Sequence, residues 1–345
     1  MKLSNSNTYL NKAKHTENNN EFYTTYESIE DELKYYTHHF EGKYVLCNCD
    51  DPFESNFSKY FLKNFNRLGL KKLVTTSYAF SNLDVDRSAL YDNNGNLLEK
   101  GKGYVMSIMR VPKYITPESS DEQLINWLKK RKSIKQLDGD GDFRSNECIE
   151  YLKESDIIVT NPPFSFFREL ILLIQKYNKQ FLVIGNSNAL MYKEVFPLIK
   201  NNKVWLGANY GDMSFRVPQN SEERKTRFWI DEEGQKWRSL GNAMWLTNLD
   251  LDRRHENLEL TKTYNPFDYP KYDSYNAIEV SKVANIPIDF NGIMGVPITF
   301  LNKHNPDQFE IIGEANHGSD NEYDLFKPTI NGREIYKRVL VRRIQ

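Results

Sequence analysis

Asp156-Ile157-Ile158-Val159-Thr160-Asn161-Pro162-Pro163-Phe164 is the stretch from which the rest of the chain is read. Its β-branched aliphatic half predicts a fully buried strand, and Asn161 followed by two prolines predicts an abrupt stop in a rigid, extended loop. In open α/β sheets, ligands bind beyond the carboxyl ends of the strands. A loop at that edge would present the Asn161 amide, backbone carbonyls and the Phe164 ring to a bound molecule. The plainer alternative is a proline-rich turn after a core strand.

These residue types suit methyl transfer to an exocyclic amine. The N6 amine of adenine is a poor nucleophile because its lone pair is delocalised into the ring. Two acceptors on its hydrogens, the Asn161 side-chain oxygen and the Pro162 carbonyl, would favour a pyramidal nitrogen and stabilise the charge developing there. Pro162 and Pro163 fix the backbone so that the acceptor is preorganised, and Phe164 would stack on the base.

Strand and helix signals alternate on both sides of the loop. Lys43–Asn48 reads as a first core strand running into Cys49-Asp50-Asp51-Pro52, with a helix over Phe57–Leu68 closed by Gly69 and a second strand over Lys71–Tyr78. An acidic residue such as Asp50, at the end of a first parallel strand, can meet an ammonium or a ribose hydroxyl. After the loop come a helix (166–176), a strand (180–185), a helix (192–200) and a strand (203–207). The alternation predicts an α/β parallel sheet with helices on both faces.

Three segments depart from it. Upstream, a polar, Asn-rich arm (1–20) precedes Glu21-Phe22-Tyr23-Thr24 and a helix over 27–40. Residues 80–137, with a hairpin turn at 91–96 and a helix over 121–131, read as an insertion over the carboxyl edge, a lid or substrate contact. Downstream of Asp212, short strands dominate, with a hairpin at 231–234, a strand over 244–249 and a loop over 264–275. The domain expectation is an arm (1–20), a catalytic domain (21–210) and a second region (211–345).

Asp138-Gly139-Asp140-Gly141-Asp142-Phe143 has the alternating aspartates of a calcium loop. It lacks the required glycine at the sixth position, which is Phe143, and the glutamate at the twelfth, which is Ile149. The better reading is a strand end whose Asp142 accepts from an adenine amino group, with Phe143 against the adenine face; the plainer alternative is a flexible polar turn. No metal is expected. Neither a Walker lysine nor a G-x-G-x-x-G fingerprint occurs.

Net charge is −1 with 46 Lys and Arg, which opposes a nucleic-acid partner unless the basic residues segregate. Local clusters at 129–132, 253–254, 337–338 and 342–343 provide some segregation. Cys47, Cys49 and Cys148 lack zinc-ligand spacing and fit buried thiols in a reducing compartment. With no membrane-length apolar run and no signal-peptide core, the expected location is the cytoplasm.

Phe22-Tyr23-Thr24, Asn48–Pro52, Gly141–Phe143 and Asn161–Phe164 follow the order seen in N6-adenine DNA methyltransferases. The runs 44–57, 139–164, Lys193–Phe196, Trp245–Asp250 and Gly292–Phe300 resemble the EcoRI-type adenine-specific methyltransferases over nearly the whole chain. That resemblance implies a Rossmann-like class I methyltransferase sheet binding S-adenosylmethionine, with a loop- and strand-rich C-terminal target-recognition region. It implies that Phe22, Tyr23 and Thr24 line the methionine end of the cofactor. Asp50 would hold its ammonium or ribose, Asn48 is a further cofactor-binding candidate, and Asp142 with Phe143 would bind its adenine. One departure stands out: Asn48-Cys49-Asp50-Asp51-Pro52 replaces the usual glycine-rich first loop, and no acidic residue follows the second strand near Ser77.

The expectation is an enzyme that methylates N6 of an adenine flipped out of double-stranded DNA, within a restriction-modification system and beside a possible cognate endonuclease. A monomer is expected, because a hemimethylated duplex presents one target base. Methylation of an RNA base or a protein glutamine amide is the alternative within enzymes. A catalytically silent DNA-binding protein of the same fold is the alternative outside them.

Overall fold

Hydrophobic runs without alternation form the centre of the sheet, as strands covered on both faces require. In the computed structural model, residues 22–79, 101–131, 133–315 and 328–344 are described. The expected arm (1–20) and the turn at 91–96 lie outside them.

The strands of the large sheet are β1 (Tyr23–Thr24), β2 (Tyr44–Cys47), β3 (Lys72–Ser77), β4 (Tyr104–Ile108), β5 (Ile134–Gln136), β6 (Ile157–Thr160), β7 (Gln180–Asn186), β8 (Trp205–Arg216), β9 (Phe228–Ile230) and β10 (Lys236–Thr247). Their order is β1-β8-β10-β7-β6-β2-β3-β4-β5, with β9 paired to β10. The strands β3, β2, β6 and β7 are mutually parallel. All of β2 and β6 is buried, and each aliphatic side chain there contributes about 1.5–3 kcal/mol by leaving water.

The helices are α1 (Tyr26–Leu33), α2 (Asn56–Lys63), α3 (Asp121–Arg131), α4 (Asn146–Glu154), α5 (Phe167–Lys176) and α6 (Phe196–Lys200). Thr25, Ser55 and Ser145 cap α1, α2 and α4 through their hydroxyls. Several are shorter than periodicity predicts. The helix expected over 27–40 tightens to a 3-10 segment at Lys34–His39, where Tyr35, Tyr36 and Thr37 are poor helix formers. The helix expected over 192–200 begins only at Phe196, with Pro197 in its first turn.

The described part of the expected insertion belongs to the sheet. β4 runs antiparallel to β3, and β5 antiparallel to β4, while Lys59 and Lys63 of α2 both pair with Asp121 at the start of α3. At the other side, β8 and β10 are each twelve residues long, more than twice the strand expected at 203–207. The expected boundary at 210 falls inside β8.

Two compact units are distinguished: one comprises residues up to Ser187 with Asn209–Leu249, the other Asn188–Ala208 with Asp250 onward. The second contains a sheet of β11 (Ala277–Glu279), β12 (Ile293–Pro297), β13 (Phe309–Ala315) and β16 (Arg338–Arg343), in the order β11-β12-β16-β13, and a small pair, β14 (Thr329–Ile330) with β15 (Arg333–Glu334). Gly295 is required there, since a Cβ would lie 2.0 Å from the Tyr272 hydroxyl. Tyr272 also donates to the buried Glu279 carboxylate, which is held by the Arg338 guanidinium at 2.6 Å.

Candidate active site

β2, β3 and β6 end side by side, so the segments leaving them, Asn48–Asp51, Ser77–Tyr78 and Asn161–Phe166, converge at one edge of the sheet. They enclose a cavity of about 700 Å³. Phe22, Tyr23, Thr24, Asn48, Asp50, Asp142, Phe143, Asn161, Pro162, Pro163 and Phe164 all line it. These residues, from four separate stretches of chain, thus reach one place.

The loop after β6 is held from the N-terminal side. The Asn161 amide nitrogen donates to the Phe22 carbonyl at 2.5 Å and to the Thr24 hydroxyl at 3.1 Å. Those two acceptors fix which end of the amide faces them, and the Asn161 Oδ1 accepts no hydrogen bond from the described residues. The Pro163 carbonyl takes the Phe166 N–H at 2.9 Å, starting a 3-10 turn at Phe164–Phe166. The Pro162 carbonyl, one residue earlier, receives no donor among the described residues. Two consecutive acceptors are therefore left for a ligand. The half-buried Phe164 ring stacks on Phe22, centroids 5.4 Å apart. Behind the loop, Phe167 packs onto Gly185 of β7 where any Cβ would collide at 2.4 Å, which seats α5 against the sheet.

The strand end after β2 carries buried polar groups. Asp50 accepts from the Ser55 hydroxyl at 2.6 Å and the Thr160 hydroxyl at 2.7 Å. Burial pushes its carboxyl from the ordinary 3.8 up to about 6, a rise that these two hydrogen bonds partly offset. Asp51 accepts from the Phe53 and Glu54 N–H groups and from the Tyr104 hydroxyl on β4. Asn48 Oδ1 is buried without a partner among the described residues. Burial also pushes the Cys47 and Cys49 thiols well up, so they are held protonated.

At the end of β3, Gly141 adopts φ +84°, and a Cβ there would lie 2.2 Å from the Ser77 carbonyl. Only glycine permits this approach. It brings Asp142 and Phe143 to the cavity. The Asp142 carboxylate is gripped by Arg144, Nε to Oδ1 at 2.9 Å and Nη2 to Oδ2 at 2.6 Å. Arg144 also pairs with Glu169 at 2.7 Å and lies 4.2 Å from the Phe166 ring centroid, tying the glycine turn to the loop after β6.

Sequence reasoning missed several contributors. Thr160 and Ser55 position Asp50; Thr160 stood in the quoted stretch and Ser55 at a helix start, but neither pattern names a partner. Arg216, Asp231, Gln235 and Trp237 form a further wall, and no local motif signals them. Only the pairing of β8 with β1 and β10 brings them there.

The sheet expected to be parallel is mixed, parallel only through β3, β2, β6 and β7; the cavity at the carboxyl edge of that parallel centre, with a buried carboxylate and two unspent acceptors beside stacked rings, suits a planar, amine-bearing ligand. Residues 9–344 match the family described as adenine-specific methyltransferase EcoRI. The chain is 46% identical to the Type II methyltransferase M.EcoRI of Escherichia coli, over 98% of this chain and 97% of that one. It is 39% identical to M.MpnI of Mycoplasma pneumoniae over 88% and 85%, and 35% identical to M.MgeORF184P of Mycoplasma genitalium over 98% and 99%. The chain belongs to the EcoRI-type adenine-specific methyltransferases. No solved structure matches it.

Proposed function

We propose that this methyltransferase uses S-adenosylmethionine to methylate N6 of an adenine turned out of double-stranded DNA. The observation that carries the reading is the pair of unspent acceptors, Asn161 Oδ1 and the Pro162 carbonyl, beside the Phe164 ring. Together they match the two N6 hydrogens and the flat face of adenine. As those hydrogens are held, charge developing on N6 is stabilised by groups already in place, so little reorganisation is needed. Taking the base out of the stack costs a few kcal/mol, which contacts in the cavity and along the duplex must offset.

The cavity's other half fits the cofactor. Buried Asp50 suits an ammonium or ribose hydroxyl, the orphaned Asn48 Oδ1 lacks only a donor, and Phe143 offers a face to an adenine whose amino group Asp142 would accept. Phe22, Tyr23 and Thr24 would flank the methionine end. When bound, S-adenosylmethionine supplies a methyl group activated on sulfur. Asp50, kept ionised above pH 6, and the backbone around Gly141 orient it.

The order of the parallel strands, β3-β2-β6-β7 with antiparallel β10 next to β7, supports a Rossmann-like class I fold. The second unit, with its loops and small sheet, is the candidate for target recognition. This reading makes the protein a cytoplasmic, monomeric component of restriction-modification, with a possible endonuclease sharing its site. The test is transfer of labelled methyl to duplex DNA, with the product digested to nucleosides. Label in N6-methyladenine that is lost in Asn161→Ala supports the reading. Label that enters only RNA or protein refutes the DNA assignment.

A further inference from the structure

The basic clusters conspicuous in the sequence are largely engaged within the protein. Arg338 is held by Glu279, Arg342 pairs with Glu310 at 2.7 Å, and Arg254 stacks on Trp205 at 3.8 Å. Three other arginines, Arg216, Arg224 and Arg238, have no carboxylate within ion-pair distance among the described residues, and they lie together beside the cavity. Arg216 lines the cavity and sits 5.9 Å from the Tyr23 ring centroid. Arg238 is 5.1 Å from the ring of the adjacent Phe22. Arg238 and Arg224 line a second, smaller depression together with Val217, the residue after Arg216, and Glu222, which also lines it, pairs with neither.

We propose that Arg216, Arg224 and Arg238 form a phosphate track that grips the backbone of the target nucleotide while its base occupies the cavity. This rests on the DNA reading above. Like charges brought together without a counterion repel, and burial and the Arg224 charge both lower the Arg238 pKa from its ordinary value. A bound anion would relieve both effects. The guanidinium fork matches phosphate geometry. Two of the three arginines lie outside the cavity, so the anion belongs to something leading out of it. A nucleotide chain does this, whereas a small cofactor lodged inside does not. The Arg238 guanidinium also lies by Phe22, which stacks on Phe164, so the gripped backbone and the base platform adjoin.

The test begins with wild-type enzyme and plasmid DNA, to map the methylated adenine. Duplexes carrying that site are then bound in the presence of S-adenosylhomocysteine over a salt series. Arg216→Gln, Arg224→Gln and Arg238→Gln should each flatten the slope of log K against log salt by about 0.9, close to a tenfold loss at ~0.1 M salt. Arg238→Lys should retain the slope, and Arg238→Met, which keeps the packing on Phe22, should lose it. Neutral methylphosphonate at the target nucleotide's flanking phosphates should weaken wild type and leave the triple glutamine variant unchanged. Unaltered slopes in variants that still bind S-adenosylhomocysteine overturn the proposal. So does loss of S-adenosylhomocysteine affinity with DNA binding intact, which would assign the arginines to the cofactor. A wild type that methylates no duplex removes the DNA reading and the track with it.

Discussion

Asp50→Asn should make the protein more stable and its site less able to hold a ligand. In the folded chain the carboxyl titrates at about 6, against an ordinary 3.8. Between those values the folded state holds a proton that the unfolded chain has released, so stability falls as pH rises through this window and is level, for this group, above it. The difference of roughly two pKa units corresponds to about 3 kcal/mol, an upper figure for what the buried charge costs at pH 8. Asparagine keeps the shape, and the Ser55 and Thr160 hydroxyls can turn to serve an amide. Urea unfolding at pH 8 should therefore show the variant more stable by up to about 3 kcal/mol, with the gain largely gone near pH 4. At the same time, loss of an ionised acceptor should weaken S-adenosylhomocysteine binding by about 1.5–3 kcal/mol, roughly 10- to 100-fold. The wild-type affinity should also fall below pH 6, and the variant's should not. A variant less stable than wild type at pH 8, or equally shifted at both pH values, would refute the argument from burial. Unchanged affinity would refute the ligand role.

Other substitutions separate the parts of the site. Asn161→Ala should lower single-turnover methyl transfer about 10²- to 10³-fold, with S-adenosylhomocysteine titration showing cofactor affinity within about threefold. Thr24→Val removes one of the two bonds that orient Asn161, so the same assay should register only about a two- to tenfold loss; a loss confined to cofactor affinity would separate Thr24 from the loop. Gly141→Ala forces a Cβ into the Ser77 carbonyl at a positive φ, and thermal unfolding together with ligand titration should show both stability and cofactor binding impaired, by at least ~1 kcal/mol in stability.

The parallel centre of the fold is legible because its burial leaves unbroken aliphatic runs, as at Ile157–Val159 and Leu182–Ile184. The carboxyl-edge loop is legible for a related reason: Pro162 and Pro163 cannot continue a strand. The edges are not. β4 and β5 pair antiparallel through contacts that no sequence period records, while the second half of β8 has only Met213 and Phe215 buried and the first half of β10 has no buried residue, so the hydrophobic signal is weak in those halves. The basic clusters near the C-terminus mislead, on charge alone, for another reason. Arg338 and Arg342 face carboxylates supplied by β11 and β13, and only pairing across the second sheet identifies those partners. Asp50 and Asn161 could be singled out as chemistry-bearing residues. That Thr160 orients Asp50, and that Thr24 and the Phe22 carbonyl orient Asn161, could not be read there.

The bonds from Asn161 to Phe22 and Thr24 span 139 and 137 residues of chain, and the short strand that carries Thr24 is paired to Phe215 and Arg216. During synthesis, the segment that orients the loop leaves the ribosome long before the strand it docks on. At ~5–20 residues per second, about 190 residues separate the two by on the order of 10–40 s. A nascent chain halted before β8 therefore lacks the edge that anchors Thr24, even though Asn161 to Phe164 has already been made. On the role proposed for Asn161, only chains read well past the loop at Asn161 to Phe164 are competent for methyl transfer.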